Sequence, residues 1–156
     1  MNSTNDIPLA SAGTRRVDQL LAHYGSSHQN PVNERIHCVA IPLIMQSLIG
    51  LLYTASPVLA LLFLGASLVY YWRLSAVFLV SMVAISVLML VIVAALHVKG
   101  ILLPVCIAVF VLAWIAQSIG HRIEGKKPSF FEDLQYLWIG PLFVLSLLFR
   151  KIGLRW

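Results

Sequence analysis

Long apolar runs and short polar breaks alternate along most of this chain. Four runs, 36–54, 57–72, 75–96 and 101–119, are almost uninterrupted by charge. A helix needs about 20 residues to cross the hydrocarbon core of a bilayer, with a range of about 17–25. Each run therefore predicts a transmembrane helix. The second is short and needs Tyr70, Tyr71 and Trp72 at the interface, where aromatic rings settle well. Pro57 suits a helix start, which leaves Thr54, Ala55 and Ser56 as a tight hairpin. A fifth run, 136–149, is short for a span and predicts an interfacial or re-entrant helix.

Residues 1–13 are poor in apolar side chains and predict a disordered tail. In 14–25, Val17, Leu20, Leu21 and Tyr24 fall at i, i+3, i+4 and i+7, one face of a helix ending at Gly25. Such a helix is expected to lie on the membrane surface. The predicted fold class is all-α: a polytopic helical membrane protein of about four transmembrane helices, plus the short C-terminal helix. Residues 14–156 form a single domain in this reading.

Composition agrees. The chain is 60% apolar and 11% charged, against about a quarter charged in soluble domains. A soluble domain of this size leaves too much surface exposed to hide so many apolar residues. Residues 1–30 contain no apolar stretch of the kind a signal peptide carries. Cys38 and Cys106 lie in apolar runs and read as packing residues.

Charge placement predicts an orientation. Arg15, Arg16 and Arg35 precede the first span, Arg73 follows the second, and Arg122, Lys126 and Lys127 follow the fourth. Four crossings put all of them on one side, which the positive-inside rule makes cytoplasmic. Lys99 falls opposite. Arg150, Lys151 and Arg155 join the cytoplasmic set if 136–149 does not cross.

That topology brings two polar segments, 23–37 and 117–133, to one face. In the first, Asn30 is a candidate N-cap with Pro31 at the first helical position. Asn33 and His37 then share a helical face, and His28 lies just before the helix. In the second, His121 and Glu124 stand at i and i+3, Gly125 and Pro128 end the helix, and Ser129 to Glu132 form a capping box. Three histidines and a carboxylate at one face point to a metal site, for which non-haem iron and zinc are both suitable. The plainer alternative is a set of interfacial histidines, with Glu124 in a solvated charge cluster. No HExxH, Walker, GxSxG or GxGxxG motif is present.

These residues also carry a resemblance. His28-x-Asn30-Pro31-x-Asn33-x-x-x-His37, Pro42, Trp114-x-x-Gln117-x-x-Gly120-His121, Glu124, Lys127-Pro128 and Gly140-Pro141-x-Phe143 together resemble the DUF962, or Mpo1-like, family over about residues 20–150. The resemblance implies an Fe(II)-dependent dioxygenase that shortens long-chain 2-hydroxy fatty acids by one carbon. It implies His28, His37 and His121 as iron ligands. Glu124, Asn30 and Asn33 follow as supporting residues, Glu124 also as a possible ligand. His97 also matches a family histidine, but the topology puts it at the far face. Arg35, Arg122, Lys126 and Lys127 are candidates to hold the substrate carboxylate. The implied partners are the bilayer, a 2-hydroxy fatty acid and molecular oxygen, with no nucleic acid. The implied location is a bacterial inner membrane, or the endoplasmic reticulum of a eukaryote, with the active face cytoplasmic. The rival readings are a non-enzymatic transport or assembly protein and a membrane metal-dependent hydrolase.

Overall fold

A computed structural model describes residues 15–26, 28–125 and 136–156. Lys126, Lys127, the capping box at 129–132 and the tail at 1–13 lie outside the described residues. Those residues contain six helices and no strand: α1 Arg16–Gly25, α2 Pro31–Ala55, α3 Pro57–Trp72, α4 Ala76–Val98, α5 Leu102–Ile123 and α6 Ile139–Ile152. Three of them, α2, α4 and α5, are long and apolar enough to cross a membrane, and α3 is a shorter apolar helix of 16 residues. The protein is a helical membrane protein.

Local chemistry sets the helix limits. The Asn30 side chain accepts a hydrogen bond from the Val32 amide at 2.9 Å and caps α2, with Pro31 behind it. Ser56 alone, in an extended conformation, joins α2 to α3. At the end of α4, Gly100 adopts φ +70° and the Ile101 amide returns to the Leu96 carbonyl at 3.1 Å. That left-handed turn suits glycine, which has no Cβ to clash.

Helix directions follow from the contacts. On α2, a Cβ at Gly50 would meet Cys106 Sγ at 2.3 Å; at the other end of the pair, Gly120 faces Asn33 and His37. So α2 and α5 are antiparallel. Gln46 donates to the Met89 carbonyl at 3.3 Å, and Tyr53 meets His97 with ring centroids 5.4 Å apart, so α4 runs parallel to α2. The start of α2, the end of α3, the start of α4 and the end of α5 therefore share one end of the bundle, here the proximal end. Small residues at 50, 120 and 140 let the backbones approach closely, which is how helices gain packing where lipid removes the hydrophobic advantage of association. The outer faces carry Leu62, Val80 and Leu112, each more than 60% exposed, as lipid contact requires.

The short helices differ from a surface-lying arrangement. Val17, Leu21 and Tyr24 of α1 are buried in one cluster with Leu142, Phe143 and Phe149 of α6. The apolar face of α1 thus packs on protein, because α6 supplies a matching apolar face. Just ahead of α6, Trp138 donates to Ser67 Oγ at 2.9 Å, and Ser67 lies about 8 Å along α3 from its proximal end. Near its other end, Phe149 packs on Phe78 at the start of α4, centroids 5.5 Å apart. So α6 rises from inside the bundle to the proximal end without traversing it. There Trp156 donates to Asp18 at 3.1 Å, and Arg15 bonds the Trp156 carbonyl and pairs with Asp18.

Candidate metal centre

Three histidines from three segments meet near the proximal end. His28 comes from the short link between α1 and α2, His37 from the second turn of α2, and His121 from the last turn of α5. All three are buried, and each offers one nitrogen within 4.8 Å of the others'. Ring centroids are 4.4 Å apart for His28 and His37, 4.9 Å for His37 and His121, and 5.9 Å for His28 and His121.

The backbone selects the ring tautomers. His28 Nδ1 lies 2.9 Å from the Tyr24 carbonyl, and His37 Nδ1 lies 3.0 Å from the Asn33 carbonyl. A carbonyl can only accept, so Nδ1 donates in both. In the neutral ring this leaves the Nε2 lone pair for the centre, the usual arrangement for a metal-ligating imidazole. Tyr24 stacks on His28 at 4.3 Å, and Phe143 lies 5.6 Å from His28 and 5.0 Å from Tyr24, so two aromatic rings pack together against the imidazole.

Glu124 faces away from the imidazole centre toward the helix start. Its Oε1 accepts from the Gln29 amide at 2.8 Å; its Oε2 accepts from the Asn30 amide at 2.9 Å and from Asn33 Nδ2 at 3.0 Å. Partial burial by itself raises the carboxyl pKa. The Asn30 and Gln29 amides, the Asn33 carboxamide and the electrostatics of His28 outweigh it and hold Glu124 below the ordinary carboxylate value. The residue thus clips the His28 link to the end of α5. Asn33 joins the clip through its nitrogen, and its buried Oδ1 lies against Gly120. Asn30 serves as the α2 cap.

The basic candidates lie at the same end. Arg35 and Arg122 are exposed, and Arg35 heads an apolar groove between α2 and α5 that runs past Val39 and Leu43 to Val109. His97 is at the opposite end of the bundle, beside Tyr53, which is about 24 Å along α2 from His37. Gln117, which the sequence reading quoted only as part of a motif, is buried one turn below His121. Its polar type inside an apolar helix was the available signal.

The donor set fits a borderline metal ion. Three imidazole nitrogens can hold Fe(II) or Zn(II) and leave further positions for substrate or water. Among the described residues this is the group of histidine, cysteine or carboxylate side chains close enough to hold an ion. Comparison with curated proteins and with solved structures gives no match. A family model described as 2-hydroxy-palmitic acid dioxygenase Mpo1-like matches residues 14–152, nearly the whole chain, and the chain belongs to this Mpo1-like family.

Proposed function

We propose that this protein is a membrane-embedded, Fe(II)-dependent dioxygenase that shortens long-chain 2-hydroxy fatty acids by one carbon. The observation that carries the reading is the convergence of His28, His37 and His121 at one end of an apolar bundle, in a chain of this family. The bland alternative of scattered interfacial histidines does not account for three buried rings within ligand distance of one another.

A bound Fe(II) would supply oxygen activation and an anchor for the head of the acid. The protein supplies the rest. His28 and His37 present Nε2 because their Nδ1 atoms are held by carbonyls. Glu124 fixes the His28 link, so that the third nitrogen does not drift. Arg35 and Arg122 offer positive charge to a carboxylate at the rim. The acyl tail stays among apolar side chains while the head reaches the helix ends. The reaction balances without an added reductant: R–CH(OH)–COOH and O2 give R–COOH, CO2 and water. The C1–C2 bond breaks, the acid loses four electrons, and dioxygen gains them.

The basic residues support a cytoplasmic active face. Arg15, Arg35, Arg73, Arg122, Arg150 and Arg155 gather at the proximal end, and Lys99 stands at the other. The deciding experiment combines metal analysis of the purified protein with oxygen uptake on 2-hydroxyhexadecanoate and mass spectrometry of the product. A fifteen-carbon acid formed only with iron and oxygen supports the reading. Bound metal with no oxygen uptake points to a hydrolase. No bound metal at all points to a non-enzymatic membrane protein.

A further inference from the structure

One turn below the imidazoles the protein holds a second polar feature. Gln117 lies four residues before His121 on α5, and Ile41 four residues after His37 on α2, so both line the helix faces that carry the ligands. With Tyr24, Trp114, Tyr136 and Gly140 they border a small cavity of about 20 Å³, room for about one water-sized group. Gln117 is 4% exposed, and among the described residues its Oε1 has no hydrogen-bond donor. A buried amide oxygen left this way is costly, so it calls for a donor.

The chemistry of the donor can be narrowed. Dioxygen carries no hydrogen. An ionised carboxylate carries none either, and its lone pairs would oppose those of Oε1. An aliphatic chain offers only C–H. Of the groups on a 2-hydroxy acid, the hydroxyl alone can donate. Tyr24, which stacks on His28 at 4.3 Å, also borders the cavity, so the cavity begins beside the imidazoles. A head group held at the imidazoles therefore has its inner side within reach of the cavity, and its outer side toward the basic rim.

We propose that Gln117 is the specificity residue for the 2-hydroxyl: its Oε1 accepts the hydroxyl proton of the bound acid, and a water takes that place in the empty site. This rests on the proposed function. It also sets the orientation of the head, with the hydroxyl inward toward Gln117 and the carboxylate outward toward Arg35 and Arg122.

The test is equilibrium binding to the iron-loaded, full-length protein under anaerobic conditions, where no turnover occurs. The probes are 2-hydroxyhexadecanoate, 2-oxohexadecanoate and hexadecanoate. The wild type should favour the hydroxy acid over both analogues. Gln117→Leu and Gln117→Met should each cut that preference by roughly tenfold, the worth of one hydrogen bond. Affinity for hexadecanoate and iron content should stay within about twofold. An unchanged preference in both variants overturns the assignment. Loss of iron or of folding in both also overturns it, since Gln117 would then be a structural support. A wild type with no preference for the hydroxy acid instead overturns the substrate reading itself, whatever the variants do.

Discussion

The side chain of Asn33 fills the space that any side chain at Gly120 would need: a Cβ there would stand 2.3 Å from Asn33 Oδ1. The contact lies where α2 and α5 bring His37 and His121 together. Asn33 cannot easily move aside, because its other amide atom is held by Glu124.

Gly120→Ala should therefore push the two helices apart. Overpacking of this kind costs about 1–3 kcal/mol, and the spread should also lower the iron content. Thermal unfolding in detergent with metal analysis checks both. Gly65→Ala is the control: among the described residues nothing lies within 4 Å of a Cβ at that position, so α3 should be unharmed or slightly firmer.

Changing His28, His37 or His121 singly to Ala should remove most bound iron and most oxygen uptake, with expression near normal. His97→Ala should keep both, since that ring sits beside Tyr53 at the other end of the bundle. Iron retained at full occupancy in all three site variants would refute the ligand set.

Glu124→Gln should destabilise the link before α2 by about 1 kcal/mol at neutral pH, because the carboxylate accepts from two backbone amides. The folded pKa of Glu124 is depressed. Its contribution is then fully present above the ordinary carboxylate pKa and fades as pH falls through the lower folded value. The stability gap between wild type and Glu124→Gln should accordingly close on acidification. A gap that stays constant to strongly acid pH would show that the charge is not what matters.

Topology can be tested by cysteine labelling in a background lacking Cys38 and Cys106. Single cysteines at Arg73, Arg122 and Arg155 should label from the same side, and one at Lys99 from the opposite side. Labelling of the Arg73 and Arg122 positions from different sides would break the common end on which the metal centre depends.

The sequence carried the helical membrane class plainly, because lipid-facing helices must be apolar over their length. It also carried the start of α2, since Asn30 and Pro31 each perform a local task. Contacts between distant segments were less legible. Nothing around Glu124 shows that its partners are the Gln29 and Asn30 amides, 95 and 94 residues away. The apolar stripe of α1 was visible, but a stripe does not tell lipid from α6. Gly120 reads as an ordinary motif glycine until the Asn33 side chain is seen against it. Gln117 was visible as a polar residue within an apolar run, yet its meaning comes from the cavity beside it.

The order of the three histidines along the chain has a consequence for biogenesis. His28 and His37 leave the ribosome early, and His121 follows only after α3, α4 and nearly all of α5. Until then the nascent protein has two of the three clustered imidazoles and no clip, since Glu124 is later still. A metal ion held by all three imidazoles can therefore load only after insertion of the last long helix. A truncated chain stalled before α5 would enter the membrane and remain metal-free.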